Sequence, residues 1–92
     1  MKIENIGNKV ANQFVISNNN ILHFQSYQSV VAKFDCNTKI LTLGRDWNYS
    51  NTTLKHLYTF LLNYCSLSQE YKGKDKLQKL IDDGIILYDE NL

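Results

Sequence analysis

Apolar and polar positions alternate along the first half of this chain and recur at helical spacing along the second. Residues 12–16 carry Phe14 and Ile16 in alternation, and residues 21–26 carry Leu22 and Phe24 on one face. Between them lies Asn18-Asn19-Asn20, and asparagine tolerates the left-handed backbone of a tight turn, so the stretch predicts a β-hairpin. Residues 29–35 continue the alternation after the short connection Ser26–Gln28, with Val30, Ala32 and Phe34 expected inward and Val31, Lys33 and Asp35 outward. A turn at residues 36–39 leads to a fourth strand over 40–43, closed by Gly44. Four strands with short connections predict an antiparallel meander that buries one face. Upstream, Ile3, Ile6 and Val10 make a weak helical stripe interrupted by Gly7, which reads as a short helix or an irregular arm over 1–11.

The period then changes from 2 to 3.6. Leu54, Leu57, Tyr58, Leu61, Tyr64 and Cys65 fall on one helical face, widened by Phe60 and Leu62, and Ser50 is a suitable N-cap with Asn51 competing. This predicts a helix over about 51–67 that covers the apolar side of the sheet. A polar linker spans 68–74, and Leu77, Leu80 and Ile81 define a shorter helix over 75–83, with Gly84 placed as its C′ residue. Residues 85–88 read as a short final strand or an extended tail. The expected architecture is α+β: one domain over 1–92, an antiparallel meander of four strands (five if 85–88 pairs) against one long and one short helix.

Composition narrows the function more than the fold. A net charge of +1 fits neither a strongly acidic nucleic-acid mimic nor a strongly basic phosphate binder. Cys36 and Cys65 are the only cysteines and make no secreted-type disulfide framework, no apolar leader opens the chain, and no run approaches a membrane span. The expectation is a cytoplasmic protein with no membrane association.

The densest chemistry lies in Leu43–His56, a loop running into a helix start and rich in Arg, Asp, Trp, Tyr, Ser and His. Trp, Tyr and Arg dominate binding hot spots, so Arg45, Trp47, Tyr49 and Lys55, with Tyr27 from the neighbouring strand connection, are the candidate partner-binding residues. Against this stands the plainer reading, in which Trp47 and Tyr49 anchor a capped loop on the core. Lys72, Lys74, Lys76 and Lys79, with Tyr71 available for stacking, form a second candidate that would touch nucleic acid, or else a solvated face diluted by Asp75, Asp82 and Asp83. His56 with Ser50 and Asp46 would be a hydrolase constellation only if folding assembled it. His23, Cys36, His56 and Cys65 match no metal-ligand spacing, and no phosphate loop, nucleophile elbow or cofactor motif is present, so the expectation is no metal, no cofactor and no enzyme.

The stretches Phe24–Lys33, Leu41-Thr42-Leu43 and Trp47–Leu61 resemble a family of short uncharacterised proteins from bacteriophages, plasmids and other mobile elements. Their shared pattern is an SY…AK strand followed by a W-[ND]-Y-S-x-T-T-x-K helix start, here covering residues 22–62. The resemblance implies an anti-defence role. The chain is similar to anti-CRISPR proteins in size and in lacking catalytic motifs, which implies a protein that binds and inhibits a bacterial CRISPR–Cas effector or its guide RNA complex. The alternative is a small nucleic-acid-binding or regulatory module of phage or plasmid origin.

Overall fold

In a computed structural model that describes residues 1–8 and 10–92, the chain runs β1 (Lys2–Asn5), β2 (Gln13–Asn18), β3 (Ile21–Ser26), β4 (Ser29–Asp35), β5 (Ile40–Gly44), α1 (Asn51–Thr59), α2 (Lys74–Asp82) and β6 (Leu87–Asp89). The turns account for this order. Asn19 and Asn20 sit at φ 52° and 66°, the left-handed pair a two-residue hairpin requires between β2 and β3. Asp35 holds the turn after β4 by accepting the Asn37 amide on Oδ1 at 2.8 Å and the Thr38 amide at 3.3 Å. Ser50 caps α1, its Oγ accepting from the Thr53 amide at 3.1 Å. At the end of α2, Gly84 takes φ 78°, donates to Ile81 O at 3.0 Å, and Ile85 donates to Leu80 O at 2.9 Å. That is a Schellman closure, and it turns the chain toward β6.

The six strands lie in sequence order, β1 through β5 antiparallel to their neighbours and β6 parallel to β5. The parallel partner is reached by the crossover through α1 and α2, as parallel pairing demands. One sheet face supplies Val15, Phe24, Ala32, Phe34, Leu41 and Leu43 to the core, all at most 2% exposed. Leu54, Leu57, Phe60, Leu61 and Leu77 from the helical half cover it, joined by Ile6 and Ile86. Each such side chain stabilises the fold by about 1.5–3 kcal/mol. The α+β reading of a meander packed on helices therefore describes the molecule.

Three elements differ from the sequence reading. The N-terminal segment is an edge strand, not a helix; Gly7 at φ 64° ends it in a single tight turn that drops Ile6 into the core. In β4 the register slips between Phe24/Ala32 and Gln25/Val30, so Val31 is a bulge residue that turns inward and is fully buried, while Val30 stays half-exposed. The long helix is regular only to Thr59. It continues as a π-helical turn over Phe60–Tyr64, with the Cys65 amide donating to Phe60 O at 3.1 Å, and Ser66 at φ 56° ends it. The wide turn keeps Phe60 stacked on Phe24 at 5.7 Å and on Tyr64 at 6.3 Å between ring centroids.

A candidate binding cleft between two tyrosines

The bulge in β4 and the capped start of α1 together open a cleft of about 620 Å³ at one end of the core. Its strand side comes from Ser26, Tyr27, Ser29 and Val31, and its helix side from Asp46, Tyr49, Ser50, Thr52 and Thr53. The slipped register matters here, since it brings Ser29 opposite Ser26 and turns Val31 toward the same space. The two sides are tied by a hydrogen bond from Ser29 Oγ to Asp46 Oδ2 at 3.0 Å. Gly44 lets the strands close up behind it, because a Cβ there would stand 2.8 Å from the Val30 carbonyl oxygen. Beyond it, successive turns at Trp47 N–H to Gly44 O (3.2 Å) and Tyr49 N–H to Asp46 O (3.1 Å) lead the chain to the helix.

Tyr27 and Tyr49 are 62% and 80% exposed on opposite walls of this cleft. Tyr27 is unusual in its backbone. It sits at φ 54°, held by its own N–H to Asn12 O at 2.7 Å and by Gln25 Nε2 donating to its carbonyl at 2.7 Å. For a bulky residue this conformation costs about 1–3 kcal/mol and marks a constrained position. Behind the floor, Gln13 pairs with Ser26 across the strands, is 2% exposed, and its Oε1 has no hydrogen-bond partner among the described residues. A buried acceptor left unmatched is uncommon.

The five candidate contact residues divide. Tyr27 and Tyr49 meet in the cleft. Arg45 is exposed beside it, 4.0 Å from Asp46 Oδ1, and lines a neighbouring hollow with Gln28 and Glu90. Lys55 is exposed on a different face of α1, where it shares a shallow hollow with Tyr58 and Lys72. Trp47 is corrected: at 3% exposure its ring belongs to the core, so burial of its large apolar area decides its place and it presents nothing to a partner.

Of the second candidate group, Lys72, Lys74 and Lys76 are exposed, while Lys79 is paired with Asp83 at 3.3 Å one turn on. Tyr71 is half-buried and packs against the core, which takes away much of the ring face a base would stack on. The residues His56, Ser50 and Asp46 are not joined: Ser50 Oγ is engaged with Thr53, Asp46 Oδ2 with Ser29, and His56 hydrogen-bonds to neither among the described residues. Burial, then the Lys55 charge, lowers the His56 pKa; burial, then Lys33, does the same for His23. Among the described residues no three His, Cys, Asp or Glu are grouped to hold a metal ion, and no helix is long and apolar enough to cross a membrane.

Sequence reasoning found Tyr27 and Tyr49 but missed Gln13, Ser29 and Val31. The signal for Ser29 and Val31 is the bulge, which two adjacent valines hide. Gln13 was hidden because a polar side chain is not expected in a core position.

Residues 1–79 of the chain match DUF8033, a family of unknown function, and the protein belongs to that family. No curated protein and no solved structure matches it.

Proposed function

We propose that this member of DUF8033 is a non-catalytic binding protein that holds a macromolecular partner at the Tyr27–Tyr49 cleft. The observation that carries this reading is Tyr27 itself. A turn that glycine or asparagine would fill without strain instead carries a tyrosine, and the strained residue puts its ring into solvent beside a second exposed ring. Exposed aromatics flanking hydroxyls and a carboxylate are the ingredients of an interface hot spot, with Arg45 at the rim supplying a cation. In its specific form, drawn from the resemblance of residues 22–62 to mobile-element proteins, the partner is a bacterial CRISPR–Cas effector or its guide RNA complex and the effect is steric inhibition.

The test is capture of partners from lysate of a CRISPR-bearing host, with and without nuclease, using wild type and a Tyr27→Ala/Tyr49→Ala variant shown to be folded. Nuclease-resistant recovery of one Cas protein by the wild type, lost in the variant, supports the specific reading. Recovery that the variant retains removes the cleft from the interface. The meeting of Lys55 and Lys72 in one hollow favours a second reading, contact with nucleic-acid backbone. It requires binding of naked RNA or DNA that weakens steeply with salt.

A further inference from the structure

The sheet face turned away from the helices carries no second layer among the described residues and mixes apolar with polar side chains. Register alone places Ile3, Ile16, His23, Lys33, Thr42 and Leu87 in one row across all six strands. The adjacent row holds Asn18, Ile21, Asp35 and Ile40. Ile3, Ile40 and Leu87 are 57%, 44% and 50% exposed, and Ile16 and Ile21 are half-buried without packing against the core. Ile3, Ile16 and Ile21 on β1 to β3, and Ile40 and Leu87 on β5 and β6, thus flank a polar strip of His23, Lys33, Asp35 and Thr42.

Charge on the face selects the occupant. Lys33 and Asp35 point to the same side two residues apart, yet they do not pair: among the described residues neither has an opposite charge within ion-pair distance. Asp35 uses Oδ1 for the Asn37 and Thr38 amides. A two-fold axis lying between the two rows, along the hydrogen-bonding direction, sets each row on the other row of a second copy. Lys33 then faces Asp35 of the second copy and Asp35 faces its Lys33, while Thr42 lies over Ile40 and His23 over Ile21. This is the self-complementarity an isologous interface requires, at the roughly 10 Å spacing of packed sheets.

We infer that the protein forms a homodimer through this face, sheet on sheet, with the Lys33–Asp35 pair made twice across the axis. Six strands about 4.8 Å apart and about five residues along each give a projected footprint on the order of 400 Å². That is at the weak end of specific interfaces, with dissociation constants of micromolar or above. The face is separate from the Tyr27–Tyr49 cleft, so the dimer stands or falls independently of the proposed function.

Sedimentation equilibrium of the full chain from about 5 to about 500 μM tests it, a range that brackets micromolar affinity. Wild type is expected to shift from monomer to dimer. Lys33→Asp alone and Asp35→Lys alone, each checked for fold by circular dichroism, are expected to stay monomeric because like charges meet. An equimolar mixture of the two variants is expected to dimerise again, since each then faces its opposite. Wild type that is monomeric throughout, or single variants that dimerise as well as wild type, overturns the inference. Should Asp35→Lys fail to fold, concentration-dependent amide shifts at His23, Lys33 and Thr42 in the wild type decide the same point, and their absence counts against the dimer.

Discussion

Ser29 donates its hydroxyl to Asp46 Oδ2 at 3.0 Å, and through that bond the turn carrying Tyr27 is fastened to the loop carrying Tyr49. That bond ties the two walls of the cleft to each other. Ser29→Ala leaves a part-buried carboxylate short of one donor. It is expected to lower stability by about 1 kcal/mol, the scale of a partly solvated charge-assisted bond, and to weaken partner capture. Urea midpoints check the first; an unchanged midpoint would show that the bond contributes nothing.

Tyr27→Gly relieves the positive φ and should stabilise the fold by about 1 kcal/mol, within the range of left-handed strain. The same change removes one wall of the cleft. The expected pattern is a raised urea midpoint with reduced binding, the trade between stability and function seen where strain serves a site. A lowered midpoint would mean that the ring contributes more packing than its exposure suggests.

Trp47→Ala should cost about 3–5 kcal/mol, as large buried aromatics do, enough to unfold much of a domain this small. Tyr49→Ala, two residues on and 80% exposed, should change stability by less than about 0.5 kcal/mol. Native Trp47 fluorescence should be blue-shifted and resist acrylamide quenching, then shift red in guanidinium. Emission already red in the native protein would place the ring in solvent.

Acid should destabilise the fold earlier than carboxylate titration alone predicts. Both His23 and His56 have folded-state pKa values below 6.5, so the unfolded chain takes up their protons first. Stability from these groups is full above about pH 6.5 and declines as pH falls through the folded values. His23→Gln, assayed by thermal melting between pH 7.5 and 5, should flatten that decline; an identical pH profile would remove His23 as a contributor. The two thiols differ as well. Burial, then Cys36, pushes Cys65 up to about 12, so it should resist thiol reagents at neutral pH in the folded protein and react on unfolding.

Local chemistry was legible wherever one residue type determines one conformation. The Asn19–Asn20 turn, the Ser50 cap and the Gly84 closure were all read at the right place, because each rests on a backbone geometry few residues accept. What escaped depended on partners distant in sequence. The four-residue strand β1 has no periodicity of its own and is a strand because β2 lies beside it. Val30 and Val31 are chemically alike, and only the register against β3 determines which turns inward. Trp47 suits a hot spot and a core equally well by type, and burial alone decided for the core. The cleft was half legible for the same reason: its aromatic walls are conspicuous in the chain, but its floor exists only once β4 bulges.

The parallel strand beside β5 also sets an order of assembly. Hairpins β1–β2, β2–β3, β3–β4 and β4–β5 join neighbours along the chain, so each closes over a short loop and can form early. Thr42 meets Leu87 only after both helices have been laid down between them. Closing that long loop is entropically the costliest step in the sheet. The last strand therefore docks onto a meander already formed, and its amides should be the last to gain protection on refolding and the first to lose it under mild denaturation.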